Sequence, residues 1–162
     1  MELKLVNDIL EKPCEPFNFE NPPYDIAELN NALTLYRDEN LGLGLAANQV
    51  GIPYRVISVK GMDTCMFNPK IVYSSVEEQL SEEGCLSFPG LIVKIKRAEY
   101  IRVRFTDAYG ETSIKTYNGL TARIIQHEID HIDGILFYNR ANRFHKEQAF
   151  RQWKRTKKHN GI

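Results

Sequence analysis

The segment NGLTARIIQHEIDHIDG, residues 118–134, constrains the fold of this chain more than any other part of the sequence. Its apolar residues recur on more than one side of a helix, and Gly134 is typical of the position just beyond a helix C-terminus. A helix that is apolar on several sides has to be covered by the rest of the chain. The pattern therefore predicts a buried central helix, with apolar positions at Leu120, Ile124, Ile125, Ile129 and Ile132.

The other segments predict strands joined by short turns, with a helix near each end of the chain. The first helix begins at Asp25, which is followed three residues later by a glutamate, and ends near Asn40 or Gly42. A last amphipathic helix covers Arg143 to about Lys157. The strand segments are YRVISVKG, CMFNPKIVYSS, and the pair AEYIRVRF and ETSIKTY, which forms a hairpin across DAYG. We therefore predict an α+β fold, with mainly antiparallel sheets packed around a buried central helix that carries HEIDH, plus an N-terminal and a C-terminal helix.

The composition excludes several classes of protein. The chain has 162 residues and no internal repeat or long linker, which predicts a single domain over residues 1–162. No stretch approaches the roughly 20 apolar residues of a membrane helix, and the first residues do not resemble a secretory signal. The cysteine count is three, which argues against a disulfide framework and for a reducing compartment. We expect a monomeric, cytoplasmic protein that does not contact a membrane.

Two of the four histidines form half of a typical metal site. His127 and His131 lie four residues apart, so both imidazoles project from one face of the predicted helix. Glu128 lies beside them, within reach of a water on the metal. Catalytic sites of this kind take three protein ligands and leave one position open for water or substrate. The alternative explanation is a pair of core histidines that hydrogen-bond to the backbone.

The third ligand has candidates on both sides of this helix. Phe137 occupies the position where one protease class has a third histidine, and Glu147, His145 and His159 lie in a basic segment. Upstream, SEEGCLSFPG presents Cys85 in a tight, partly apolar loop, and a thiolate is a strong ligand for zinc or iron. The upstream candidate is favoured over a metallopeptidase that uses Glu147. A buried structural cysteine is the other explanation for Cys85. The remaining two cysteines, Cys14 and Cys65, are expected to be buried structural residues or partly exposed, and we assign them no role.

A second unusual segment is LGLGLAANQ. Gly42 and Gly44 allow close approach of the backbone, and Gln49 places a lone amide donor at the end of the segment. The segment lacks the lysine and the spacing of a phosphate-binding loop. A tight connection between helix and strand would account for the same residues.

Three motifs together resemble one family. GLGLAANQ (42–49), EGCLS (83–87) and HEIDH (127–131), in this order and spacing, are similar to the signature motifs of peptide deformylase. The resemblance implies a metal-dependent hydrolase that removes the formyl group from N-formyl-methionyl nascent polypeptides and releases formate. It also implies a catalytic domain that spans the whole chain.

The resemblance implies a role for each motif residue. Cys85, His127 and His131 would bind one divalent metal ion, with water in the open position. Fe(II) is the expected ion, and Zn, Ni or Co could substitute for it. Glu128 would act as general base and then as general acid. Gln49 and the backbone N–H of Leu86 would stabilise the oxyanion.

Two further sets of residues are hypotheses with a structural alternative. Glu83, Arg97 and Asp130 could form a charged network behind the metal, or they could be ordinary surface and helix-cap charges. A pocket of methionine size is expected beside the metal, although core packing explains the same positions. The predicted substrate-binding residues are Leu43, Gly44, Gly84, Leu120, Arg123 and Ile124.

The C-terminal segment, about residues 143–162, carries a distinct charge. From Arg140 to the end there are eight Lys and Arg residues and one Glu. A solvated helix that docks through Phe144, Phe150 and Trp153 explains this pattern. The resemblance allows a contact with the ribosome instead, because Lys and Arg attract phosphate. A non-enzymatic module with a structural metal remains the second rival to the deformylase interpretation.

Overall fold

A computed structural model of the chain describes the backbone of residues 1–159 and the side chains of residues 1–157. The last three residues of the predicted C-terminal tail lie outside the described residues. The described residues form three α-helices, which are α1 (Ile26–Glu39), α2 (Gly119–Ile132) and α3 (Arg143–His159). The strands are β1 (Gly44–Ala46), β2 (Val56–Val59), β3 (Met66–Ser74), β4 (Glu78–Cys85), β5 (Phe88–Ala98), β6 (Tyr100–Thr106) and β7 (Thr112–Asn118). Short 3₁₀ turns cover Ala47–Val50 and Phe137–Arg140.

The helix boundaries follow local capping chemistry. The Asp25 side chain accepts a hydrogen bond from the Glu28 N–H at 2.8 Å, which satisfies one free donor of the first turn of α1. The helix then ends at Asn40, as predicted. After α2 the chain reverses at Gly134, where φ is +78° and backbone atoms of Glu11 and Lys12 lie about 3 Å from the position of a Cβ. Only glycine fits this turn without displacing the N-terminal arm.

Two antiparallel sheets make up the β structure. Five strands pair in the order β1-β2-β3-β6-β7, and β4 pairs with β5 in a separate two-stranded sheet. The predicted hairpin is β6 and β7, and its alternation places Ile101, Val103 and Phe105 in the core. The predicted α+β class with mainly antiparallel sheets is confirmed. The β4–β5 pair was not predicted, and Cys85, which we expected in a loop, is the last residue of β4.

The central helix is buried as the sequence predicts, except at its start. Ile124, Ile125, Ile129 and Ile132 belong to one core cluster with the inward residues of β6. We predicted that Leu120 is buried with these residues. This prediction is wrong, because Leu120 is 61% exposed. Leu120 lies in the first turn of α2, where it lines the mouth of a cavity instead.

The C-terminal helix packs on the small sheet. Phe150 and Trp153 contact a core cluster formed by β5 and the turn after α2. Phe144, which we expected in the same apolar stripe, is 63% exposed. At about 100° per residue, six residues separate Phe144 from Phe150 by about 240°, whereas Trp153 lies near the face of Phe150. Among the described residues, no helix combines the length and the apolar character needed to span a membrane.

Candidate metal centre

Residues from two elements meet at one point inside the fold. His127 and His131 lie on α2, and Cys85 lies at the end of β4. The Cys85 Sγ atom is 3.2 Å from His131 Nε2, and the ligand atoms of all three residues lie within 4.8 Å of one another. Within the part of the chain that the structure describes, this is the one group of three such side chains close enough to share an ion. A thiolate and two imidazole nitrogens suit a transition-metal cation, so the donor set fits the expected metal.

A buried carboxylate orients the first histidine. His127 Nδ1 donates to Glu83 Oε1 at 2.9 Å, which leaves the other ring nitrogen free to act as a ligand. Burial raises the pKa of Glu83, but hydrogen bonds from His127 and Arg97 outweigh it and bring the pKa to about 2. Burial lowers the pKa of His127, but the charge of Glu128 and the hydrogen bonds to Cys85 and Glu83 act in the opposite direction and raise it. The second imidazole differs, because burial and the nearby charge of His127 hold the pKa of His131 well below its usual range.

The charges behind the histidines form a connected network. Arg97 donates two hydrogen bonds to Glu83, at 2.9 and 3.0 Å, and also contacts the Asp130 carboxylate. Arg140 donates to both oxygens of Asp130, at 3.1 and 2.9 Å. Arg123 donates to Glu83 at 2.6 Å. The network therefore ties β5, through Arg97, to β4 and α2, the two elements that carry the three candidate ligands.

Glu128 is buried beside the ligands. Its side chain is 4% exposed, and its Oε1 atom has no hydrogen-bond partner among the described residues. Burial raises the pKa of Glu128 to about 7, while the charge of His127 acts in the opposite direction. The backbone of Gly44 packs against this carboxyl, since a Cβ at that position would lie 2.5 Å from Glu128 Oε2. The glycine is therefore required by the close approach of β1 to α2.

Gln49 links the glycine-rich segment to the cysteine turn. Its Oε1 accepts from the Ala46 N–H at 2.9 Å, while its Nε2 donates to Ser87 Oγ at 2.9 Å and lies 3.5 Å from Cys85 Sγ. Leu86, between the cysteine and the serine, is partly buried against the same core cluster as β1. Gln49 and Leu86 thus both lie next to the candidate metal ligands.

Sequence reasoning missed two residues that hold this region together. Ser87 accepts the Gln49 amide, and the Asn48 side chain donates to the His131 carbonyl at 2.6 Å. Both residues lie inside motifs that the sequence had already identified, and membership of those motifs is the signal by which they could have been found. Their partners are 38 and 83 residues away in sequence, so no local pattern identifies the contacts.

A cavity of about 590 Å³ opens beside the three ligands. Gln49, Cys85, Leu86, His127 and Glu128 line it, together with all six predicted substrate-binding residues, Leu43, Gly44, Gly84, Leu120, Arg123 and Ile124. The Arg123 guanidinium also donates to Glu83, the Ile95 carbonyl and the Gln79 carbonyl, so it is fixed in the wall. Lining residues that we did not predict include Leu5 near the N-terminus, Asn40 and Leu41 after α1, and Pro89 and Gly90 at the start of β5.

The rival third ligand lies elsewhere. Glu147 pairs with Arg143 at 2.9 Å on the surface of α3, and its carboxylate is exposed. It is not part of the group that could share an ion with the two histidines. The structure therefore brings Cys85, and not Glu147, to the histidine pair.

Comparison with known proteins identifies a family. The sequence model of the polypeptide deformylase family matches residues 3–147. The chain is 41% identical over 150 residues to peptide deformylase 1 of Bacillus anthracis, an alignment that covers 90% of this chain and 94% of that protein. A Met-Ala-Ser-bound class I type b peptide deformylase from Acinetobacter baumannii superposes with a TM-score of 0.80 at 35% identity, over 86% of this chain and 98% of that chain. The peptide deformylase of Thermotoga maritima gives a TM-score of 0.80 at 31% identity, over 87% and 97%.

Proposed function

The chain belongs to the peptide deformylase family, and from that premise we infer that Cys85, His127 and His131 hold its metal ion. The protein is a metal-dependent hydrolase that removes the N-terminal formyl group from formyl-methionyl nascent polypeptides and releases formate. One observation carries the ligand assignment, namely the span of 4.8 Å that contains all three ligand atoms. A divalent ion held by these three residues would supply Lewis-acid chemistry and would make water available as a nucleophile near neutral pH.

Glu128 moves the proton in this proposal. Its carboxylate accepts a proton from the attacking water and returns it to the departing amine, a shuttle that contributes roughly 10²–10⁴-fold in rate. The raised pKa of about 7 supports both roles, because a group that titrates near the working pH can accept and donate. Among the described residues, no hydrogen-bond partner of Oε1 competes for that proton.

Gln49 and the backbone N–H of Leu86 are the proposed oxyanion donors. The tetrahedral intermediate carries negative charge on the former formyl oxygen, and removal of one fixed donor of this kind costs about 10²–10³ in turnover. The position of Gln49 and Leu86 supports this assignment, because both residues line the cavity next to Cys85. The bond from Gln49 to Ser87 fixes the amide in that place.

The cavity is the proposed site for the methionine side chain. Its wall combines apolar groups from Leu43, Leu120 and Ile124 with backbone at Gly44 and Gly84, and Arg123 closes one side. The Acinetobacter relative with Met-Ala-Ser bound supports a methionyl peptide as the occupant. Kinetics on formyl-Met and formyl-Ala peptides test the assignment. Equal kcat/KM for the two peptides would contradict a pocket for the methionine side chain.

Fe(II) is the proposed ion in the cell. A thiolate with two imidazoles is a soft donor set that accepts Fe(II), Zn, Ni or Co, and an iron–thiolate site is sensitive to oxygen. We expect the iron form to lose activity in air and the nickel form to decay more slowly. Identical decay of the two forms would contradict this choice of metal.

A ribosome contact through α3 is a further proposal. Arg151, Lys154 and Arg155 are exposed on this helix, and cations of this kind attract the phosphates of RNA. Deletion of α3 is a poor test, because Phe150 and Trp153 cover the small sheet. Co-sedimentation of the variant R151E/K154E/R155E with ribosomes is sharper, since the docked face is unchanged. Sedimentation equal to that of the unmodified protein would rule the contact out.

We also propose that residues 1–162 work as one catalytic domain, as a monomer, in the cytoplasm where formylated chains are made. Gel filtration with light scattering tests the monomer, and a mass of twice 18.7 kDa would contradict it.

The enzymatic proposal has a direct test. Protein purified without oxygen is assayed for formate release from formyl-Met-Ala-Ser, with metal analysis of the same sample. We expect Cys85→Ala to lose most of its metal and its turnover, whereas a metallopeptidase that used Glu147 would retain metal in this variant. A non-enzymatic module would release no formate with any metal.

A further inference from the structure

The strand that follows the cysteine turn contains a bulge. In the β4–β5 ladder, Glu83 pairs with Val93, and the next pair is Cys85 with Phe88. One residue of β4, Gly84, therefore faces the four residues 89–92 of β5. Bulges of this kind interrupt ladder hydrogen bonds and recur next to active sites, where they aim a segment of backbone. Here the bulge forms part of the cavity wall through Pro89 and Gly90.

Trp153 of α3 fills this bulge from outside. Its indole Nε1 donates to the Pro89 carbonyl at 2.9 Å. The same ring lies over Gly90, where a Cβ would be 3.6 Å from Nε1 and where φ is +82°. The indole thus satisfies a carbonyl of the interrupted ladder and covers the glycine beside it.

The indole is itself fixed by its neighbours. Trp153 packs edge-on against Phe150 at 5.8 Å between ring centroids, and Phe150 packs against Tyr138 at 5.1 Å. Tyr138 in turn contacts Phe88, the first residue of β5, at 5.5 Å. The Lys157 ammonium lies 3.4 Å from the centre of the Trp153 ring, a cation–π contact on the outer side. A fixed indole can hold the Pro89 carbonyl in one position.

The turn between β4 and β5 is therefore tied at two points. On the inner side, Gln49 donates to Ser87 Oγ, and on the outer side Trp153 donates to the Pro89 carbonyl. The two ties are at Ser87 and Pro89, with only Phe88 between them, and Ser87 immediately follows Leu86. We propose that Trp153 is a positioning residue for deformylation, which acts through the turn by holding the Leu86 N–H in place. This inference rests on the proposed function, in which that N–H stabilises the oxyanion.

The predicted kinetic effect follows from the role of the Leu86 N–H as an oxyanion donor. An interaction that is made mainly in the transition state lowers kcat and kcat/KM together and leaves KM nearly unchanged. Trp153→Phe keeps an aromatic ring on α3 but removes the N–H donor together with the pyrrole ring that covers Gly90. We expect its kcat to fall on the order of 3–10-fold, with the metal content of the unmodified enzyme. Trp153→Leu, which also loses the ring, should fall further.

The experiment measures kcat, KM, metal content and Tm for the two Trp153 variants, with assays run well below each Tm. Phe144→Ala is the matched control, since it removes an exposed aromatic side chain from the same helix. The proposal expects a kcat loss in Trp153→Phe and none in the control. A lower Tm with unchanged kcat in Trp153→Phe would show that the residue only stabilises the fold, and would overturn the proposal. If the unmodified enzyme released no formate, the proposed function would fail first and this inference with it.

Discussion

The Nδ1 atom of His127 lies 2.9 Å from Oε1 of Glu83, and both side chains are buried. Two hydrogen bonds from Arg97 hold the same carboxylate in place. Because the pKa of Glu83 is about 2, the carboxylate stays ionised at any pH where the enzyme works. A histidine ligand held in this way keeps one tautomer and one ring orientation, which favours metal binding.

Replacement of Glu83 by Gln should therefore weaken both the metal site and the fold. The loss of a charge that orients a ligand typically costs 10–100-fold in metal affinity. The guanidinium groups of Arg97 and Arg123 would also be left buried without their carboxylate, at a cost of about 3–5 kcal/mol in the free energy of unfolding. Competition with a chelator measures the first effect, and urea denaturation measures the second. Glu78→Gln, an exposed change on the same strand, is the control, and equal metal affinity for the two variants would count against the role of Glu83.

Glu128→Gln should separate catalysis from metal binding. The amide fits the space of the carboxyl but cannot move a proton, so we expect kcat to fall roughly 10²–10⁴-fold while the metal content is unchanged. Glu147→Gln serves as control, because Glu147 is an exposed residue paired with Arg143. If Glu128→Gln kept full turnover, or if Glu147→Gln lost its metal, the assignment of roles would be wrong.

Gly44→Ala should damage the site although it replaces no catalytic residue. A Cβ at this position would lie 2.5 Å from Glu128 Oε2 and 2.7 Å from Ile124 Cγ2, so the carboxyl has to move. Displacements of this size commonly cost about 10²-fold in rate. Gly110→Ala is a useful comparison, because its φ of +85° predicts some strain but no atom lies within 4 Å of the new Cβ. Activity in Gly44→Ala equal to that in Gly110→Ala would refute the packing argument.

The three cysteines should differ in reactivity. Burial raises the pKa of both Cys14 and Cys65 from about 9 to about 11, so at pH 8 their thiolate fraction falls from about 10% to about 0.1%. Cys85 is only partly buried and faces the cavity. A thiol reagent at pH 8 should therefore modify one cysteine in folded, metal-free protein and none once the metal is restored. Modification of Cys85 in the metal-loaded enzyme at the metal-free rate would contradict its role as a ligand.

Helices and strands whose apolar residues recur with a clear period could be predicted from the sequence. The α2 helix shows apolar residues on several sides, and the β6–β7 hairpin shows strict alternation at Ile101, Val103 and Phe105. The β4–β5 pair was missed because β4 is exposed along most of its length and has no apolar face. The alternation on β5, where Leu91, Val93, Ile95 and Arg97 are buried, was a signal that could have been used.

The candidate site could be predicted where a motif fixes residue type and spacing. His127 and His131 share a helix face by their four-residue separation, whereas the approach of Cys85 depends on how a separate sheet packs against that helix. The contacts of Arg123 and Arg140 with the buried carboxylates depend on the same packing. Exposure at Phe144 and Leu120 was not predicted, because both lie in the first turn of their helices, where an apolar residue need not reach the core.

The most direct test of the account is the ligand set of the metal itself. X-ray absorption at the metal edge, on protein purified without oxygen, counts the sulfur and nitrogen neighbours of the ion. If Cys85, His127 and His131 are the ligands, we expect one sulfur and two imidazole nitrogens in the unmodified enzyme, and loss of the sulfur in Cys85→Ser. A stoichiometrically bound ion with no sulfur neighbour in the unmodified enzyme would contradict it.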